Sequence, residues 1–172
     1  MNHLSRLDHA LRRLLHTQRV AALGTLGPDG APQVSMVPFA IDPQSAALVL
    51  HVSALAAHTG NMTRYPVVSL LVMQPETPGE PVHALPRVTV QGRAETLGAG
   101  SAAWQQARDV YLARFPDVEP MMMMQLGDFR LVLLQPAQAR HVAGFGAART
   151  VEGEQLARLL AGRDEGDLGS DT

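Results

Sequence analysis

The spacing of apolar residues changes several times along this chain, and each change marks an element. Leu4, Leu7, Leu11, Leu14 and Leu15 recur at helical spacing, with His9, Arg12 and Arg13 off the stripe. An amphipathic helix therefore opens the chain, and the basic pair is expected on its solvated face. From Arg19 the period shortens. Val20 to Leu26 reads as a strand, Gly27-Pro28-Asp29-Gly30 as a turn and Pro32 to Ile41 as the returning strand of a hairpin. Pro38 has no N–H to give to a ladder, so the second strand is expected at an edge or bulged there. Asp42-Pro43 turns the chain into a third strand, Ala46 to Val52. A short helix carrying Met62 and Arg64 must stop near Tyr65-Pro66, because the residue before proline disfavours helix.

Val67 to Met73 is nearly continuous apolar, as a well-covered central strand would be. Gln74 to Pro86 holds four prolines and Gly79 and reads as a loop. Arg87 to Glu95 alternates cleanly, with Arg87, Thr89, Gln91 and Arg93 on one face, and Gly92 within it marks a bulge or a close backbone approach. Ala99 to Phe115 is a second amphipathic helix, and Asp117 to Leu126 a short one containing Met121 to Met124. That methionine run suits core filling or a dimer contact, and also an adaptable ligand pocket. Asp128 to Gln135 is a further strand that Ala137 to Ala143 extends or follows. Gly144-Phe145-Gly146 turns, Val151 to Leu160 is a final helix, and the acidic segment from Arg163 is expected to be disordered.

About six strands in meander order with peripheral helices predict a mainly β (α+β) chain whose antiparallel sheet closes into a barrel. Residues 1–162 form one domain on this reading, with 163–172 as a tail.

Composition narrows the chemistry. A net charge of −2 gives no electrostatic footprint for nucleic acid. No apolar run approaches the ~18 residues of a membrane span. The polar N-terminus is unlike a signal peptide, and the lack of cysteine removes disulfides and thiolate chemistry, which fits the cytoplasm. Seven histidines form no H-x-x-x-H or H-E-x-x-H pair, so no metal site is expected. Neither a G-x-S-x-G elbow nor a phosphate-binding P-loop appears. The most informative stretch is His51 to Asn61, H-V-S-A-L-A-A-H-T-G-N, which leads from a strand into a helix. Hydroxyls, an imidazole and free N–H groups at such a junction suit an anion, although Ser and Thr there also serve as plain N-caps. A barrel with an anion-gripping loop suits a phosphorylated organic cofactor that brings its own chemistry.

Several phrases occur together in order: V-x-x-L-x-T-L-x-x-x-G-x-P from Val20, V-S-M-V-P-F from Val34, S-A-L-A-A-H-T-G-N from Ser53, P-V-V-S-L-L-V from Pro66, P-R-V-T-V-Q-G from Pro86 and G-D-F-R-L from Gly127. Over residues 10–148 the chain resembles the pyridoxamine 5′-phosphate oxidase-like, FMN-binding split-barrel superfamily, and within it the haem-iron-utilisation (HugZ-type) branch. The resemblance implies a six-stranded antiparallel split barrel, a homodimer and an FMN cleft between subunits. It places Ser35, Met36 and Val37 beside the isoalloxazine ring and His51 and Ser53 at the cofactor's edge. His58 and Thr59 fall on the phosphate, Asn61 braces the loop, and Arg87 reaches the cofactor across the dimer. Ala57-His58 stands where the oxidase branch has an Arg-Lys pair. Neutral donors grip a dianion less strongly than fixed cations, so flavin binding is expected to be looser and to tighten at low pH.

The implied function is an FMN-dependent oxidoreductase acting on haem, with haem as substrate or ligand. The alternatives are a general NAD(P)H-dependent flavin reductase or oxidase, and a flavin- or haem-binding module without turnover. No histidine follows His141, so no haem ligand comes from the tail. No catalytic side chain can be named from the sequence.

Overall fold

The computed structural model describes residues 4–124 and 128–162, so the tail expected to be disordered lies outside the described residues. Seven strands form one antiparallel sheet: β1 (Val20–Leu26), β2 (Pro32–Asp42), β3 (Ala47–Ser53), β4 (Val67–Met73), β5 (Arg87–Thr96), β6 (Phe129–Val142) and β7 (Ala148–Glu152). Their order is β3-β2-β1-β4-β5-β6-β7, and β3 pairs with β6 to close the first six into a barrel. The helices are α1 (Arg6–Thr17), α2 (Ala57–Arg64), α3 (Ala102–Arg114), α4 (Glu119–Met124) and α5 (Gly153–Ala161).

Two strands change partners halfway, and this makes the barrel split. The first part of β2 pairs with β1 down to Val20↔Pro38, and the rest pairs with β3 from Phe39↔Leu50 onward. Pro38 sits at the handover, so Pro32 to Val37 bond on one side only. The expected edge is therefore local to that half of the strand. β6 behaves similarly. Phe129 to Leu134 pair with β3, while Gln138 to Val142 pair with β7, and β5 spans both halves. The register shifts where Gly92 opposes Pro136, leaving Ala137 as the extra residue of a bulge. A proline cannot donate to the ladder, and a bulge is where a sheet tolerates one. Gly92 lies against the Gln135 backbone so closely that a Cβ there would overlap the Gln135 carbonyl.

Leu23, Phe39, Leu48, Leu50, Leu70 and Leu134 fill the barrel, and Leu11, Leu15, Leu156, Leu159 and Leu160 from α1 and α5 join the same cluster. A second cluster lies outside the barrel wall, where Ala107, Tyr111 and Phe115 of the α3 region cover Val49 and Leu131. The two clusters use alternate residues of β3, as the two-residue side-chain period requires.

Three expectations need correction. The final helix does not begin at Val151: Ala148–Glu152 is a seventh strand and α5 starts at Gly153. The alternation of so short a strand is too brief to read, and Val151 fits either period. Arg12 is not on a solvated face but only 5% exposed. Gly162, at the end of α5, folds over it so closely that a Cβ there would lie 2.8 Å from the guanidinium. The segment expected as one helix from Asp117 is a 3₁₀ turn, Pro116–Val118, followed by α4. Met122 of α4 is buried against the α3 cluster and Met121 is exposed.

α1 begins with a reciprocal cap: Ser5 Oγ accepts from the Asp8 N–H at 3.1 Å, and Asp8 accepts from the Ser5 N–H at 3.0 Å. The same carboxylate pairs with Arg149 of β7 at 2.8 Å and accepts from Gln155 of α5 at 3.3 Å. Burial alone would raise the Asp8 pKa, but the bonds from Ser5 and Arg149 outweigh it and hold the carboxyl below its ordinary value.

Candidate functional site

Beyond Phe39↔Leu50 the strands β2 and β3 no longer pair, and α2, packed on β1 and β5, hydrogen-bonds to Ser35 and Ser53 on either side of the gap between them. Here Ser35 Oγ and His58 Nδ1 lie 3.0 Å apart, bridging strand and helix. Asn61 is buried and donates to Thr25 Oγ1 at 3.0 Å and to Gln33 Oε1 at 2.8 Å, which ties α2 to β1 and β2. The Thr59 hydroxyl donates to the Ser53 carbonyl at 2.6 Å, and Ser53 Oγ accepts from the Leu55 N–H at 3.2 Å. Within one chain, Ser53 and Thr59 therefore set the loop's shape, and the Thr59 proton is already committed.

Two groups in this gap point to an anion. The N-cap of α2 is Ala56, whose side chain caps nothing, so the helix starts with uncovered N–H groups. His58 Nε2 is buried with no partner among the described residues. No lysine occurs anywhere in the chain, and the first turn of α2 holds no arginine. The donor set fits a flavin phosphate through neutral groups: backbone N–H and an imidazole.

The other expected residues are distributed as follows. Val37 is buried inside the barrel, whereas Met36 points outward and is 67% exposed. Arg87 begins β5 at the end opposite α2, and its Nη1 donates to the Leu85 carbonyl at 2.9 Å. Within one chain it does not meet His58, so any contact with that gap requires a second copy. His51 faces α3 rather than the gap. Its ring stacks on Phe129 (4.6 Å between centroids, 16° between planes) and lies 5.5 Å from the Tyr111 ring. It lines a cavity of about 1100 Å³ between α3 and the outer wall of the barrel. Sequence reasoning missed this cavity, because Trp104, Arg108 and Arg130 are far apart in the chain and form no motif.

Burial lowers the pKa of both His51 and His58 below 6.5. At His141, wholly buried with both ring nitrogens unpartnered among the described residues, burial and then Arg149 act the same way, against a smaller opposite pull from Asp8. All three are neutral at pH 7. A depressed folded-state pKa means the unfolded chain takes up protons first, so stability is full above about pH 6.5 and is lost as pH falls below it. The melting temperature should drop between about pH 7.5 and pH 5.5; a melting curve unchanged over that range would contradict the burial of these rings.

Residues 7–143 match the family model described as pyridoxamine 5′-phosphate oxidase. The chain is 32% identical over 151 residues to the haem oxygenase HutZ of Vibrio cholerae, covering 88% of this chain and 84% of that one. A solved structure of HutZ, described as the haem storage protein of that organism, superposes with a TM-score of 0.69 at 27% identity, over 77% of this chain and 91% of HutZ. A haem-binding protein from Mycobacterium smegmatis superposes with a TM-score of 0.74 at 28% identity, over 91% of this chain but 62% of that larger one.

Proposed function

Since the chain belongs to the pyridoxamine 5′-phosphate oxidase family, we propose that it is a haem-handling flavoprotein of the haem-utilisation kind, working in the cytoplasm as a homodimer. The observation that carries the flavin part is the gap between β2 and β3, where α2 starts without a side-chain cap and His58 Nε2 has no partner among the described residues. Similarity to proteins described as a haem oxygenase, a haem store and a haem-binding protein supports the haem part.

In this reading the α2 N–H groups and His58 hold the FMN phosphate, and Ser35 fixes the imidazole. Asn61 keeps α2 at the right depth, and the backbone of Ser35 to Val37, bonded on one side only, lies along the ring. Arg87 of a second copy reaches the same cleft. Bound FMN supplies electron transfer that no side chain of the gap can supply itself.

The dimer is supported by a bare apolar face. Val34, Met36 and Val67 are 75%, 67% and 64% exposed, and the register sets Val34 opposite Gly24 and Met36 opposite Ala22 on one side of the sheet. Contiguous apolar surface of this kind marks an interface.

Removing the imidazole tests the phosphate assignment. His58→Ala should weaken FMN at least about tenfold, since one hydrogen bond to a charged group is worth ~1.5–3 kcal/mol, as read by quenching of flavin fluorescence on titration. Unchanged affinity would remove His58 from the site. A carrier without turnover is the second reading, favoured by the neutral His58 of the gap, which offers no charged acid. Consumption of NAD(P)H in the presence of FMN and haem separates an enzyme from that carrier.

A further inference from the structure

The polar flank of α1 does not look onto open solvent. Arg6, His9 and Arg13 stand on one stripe of the helix, three and four residues apart, and line a cavity of about 540 Å³. Leu14, only 5% exposed, gives that cavity an apolar floor. The other wall is the neck of the 74–86 loop, which contributes Gln74, Pro75 and Pro86. Both walls are fixed before a ligand arrives. Leu11 and Leu15 sink the helix into the barrel core, and the reciprocal cap of Ser5 and Asp8 holds its first turn. The loop is pinched at its base, where the Gln74 N–H donates to the Pro86 carbonyl at 2.9 Å. Rigid walls spare a ligand the cost of ordering them.

The charges in this space are of one sign. The chain as a whole carries a net charge of −2, yet no aspartate or glutamate lines the cavity among the described residues. Neither the Arg6 nor the Arg13 guanidinium has a hydrogen bond or an ion pair among those residues. A concave site walled by cations concentrates anions. Guanidinium groups meet phosphate oxygens two at a time, which makes phosphate the best match for them. Arg6 and Arg13 lie two helical turns apart, roughly 10 Å along the axis, with His9 between them. A stripe of that length suits more than one phosphoryl group. The volume falls within the ~300–1,000 Å³ of small-molecule pockets, so there is room for a body beyond the phosphates. Leu14, Pro75 and Pro86 offer that body an apolar surface, and the Gln74 side-chain amide offers its edge a polar contact.

We propose that the cavity between α1 and the 74–86 loop binds an organic diphosphate of the nucleoside diphosphate class. Its phosphates lie on Arg6, His9 and Arg13, and its ring system rests against Pro75 and Pro86. The site shares no residue with the α2 gap, and it stands whether or not the flavin reading of that gap holds.

Isothermal titration calorimetry of the full-length protein with ADP, inorganic pyrophosphate and adenosine tests the site. ADP should bind at one per chain, pyrophosphate more weakly and adenosine not at all. Arg6→Gln and Arg13→Gln should each weaken ADP at least about tenfold, as loss of a hydrogen bond to a charged group does. Both side chains are exposed and unpartnered among the described residues, so melting of the variants should match the wild type. Arg64→Gln removes an exposed arginine from α2 and should leave ADP binding unchanged, as should His58→Ala. Wild-type protein that takes up no ADP at millimolar concentration would overturn the proposal, and so would wild-type affinity in both Arg6→Gln and Arg13→Gln. An equal loss in Arg64→Gln would reduce the effect to net charge and remove the site. If only His58→Ala loses ADP, the diphosphate occupies the α2 gap and the placement is wrong. Pyrophosphate binding as tightly as ADP would refute the role given to the two prolines.

Discussion

Gly92→Ala should destabilise the protein by at least about 3 kcal/mol, the upper end of the usual penalty for overpacking, or leave no folded protein to purify. A single methyl group does this because of what stands opposite. The Gly92 Cα faces the Gln135 backbone, and a Cβ would overlap its carbonyl oxygen and come within 3.0 Å of the Leu134 side chain. A flexible side chain could rotate away, but a backbone carbonyl in a ladder cannot. The strand pair would have to separate at the bulge where β6 leaves β3 for β7, which is where the barrel is closed. Gly60→Ala is the matched control. Gly60 lies within α2, and its added Cβ meets nothing within 4 Å. That change should stabilise by roughly 0.5–1 kcal/mol, since alanine loses less conformational freedom in a helix. Urea denaturation of both variants measures the contrast. Equal midpoints would show that β5 and β6 are not in contact at Gly92.

A charge on the bare face should take the dimer apart. Met36→Glu or Val34→Asp places a carboxylate on a side chain that points out of the barrel, so folding of the single chain is untouched. In the proposed dimer the same carboxylate is buried without a partner. Weakening on the order of 100-fold follows from the ~2–3 kcal/mol that a central interface residue contributes. Sedimentation velocity over a dilution series reads it directly. FMN affinity should fall together with the dimer, because Arg87 of the second copy would leave the cleft. A dimer that survives both substitutions would place the interface on another face.

Much of this architecture is legible in the residues because single faces are buried. Val20 to Leu26 and Val67 to Met73 have the bounds expected from their patterns, and both ends of α2 follow from the small-residue turn and from Tyr65-Pro66. Gly92 announced its bulge because glycine in an alternating strand has few other uses. What failed has physical causes. Arg12 sits off the apolar stripe, as a solvated arginine would, and its burial comes from a helix some 140 residues later, as Gly162 lies over it. β7 was hidden because Ala148 to Glu152 has one apolar residue buried and four facing outward or aside. The loop around Ser53 to Asn61 could be located as a strand-to-helix junction, but not which way each side chain turned. His51 and Ser53 share a face by strand period, yet one stacks under α3 and the other turns to bond the loop backbone. That division depends on Phe129 and Tyr111, which nothing local connects to His51.

The cap of α1 also ties the order of synthesis to the order of folding. Asp8 leaves the ribosome some 140 residues before its partners Arg149 and Gln155. Until they arrive, the opening helix has its own reciprocal cap but lacks the cover of α5, so it waits as a half-packed helix while the strands accumulate. The barrel cannot shut earlier either, since β3 closes only against β6. Contacts so distant in sequence are slow to form and leave apolar surface open meanwhile. A nascent chain stalled before Arg149 should be held by chaperones and cut readily by proteases until β7 and α5 follow and seal the first helix.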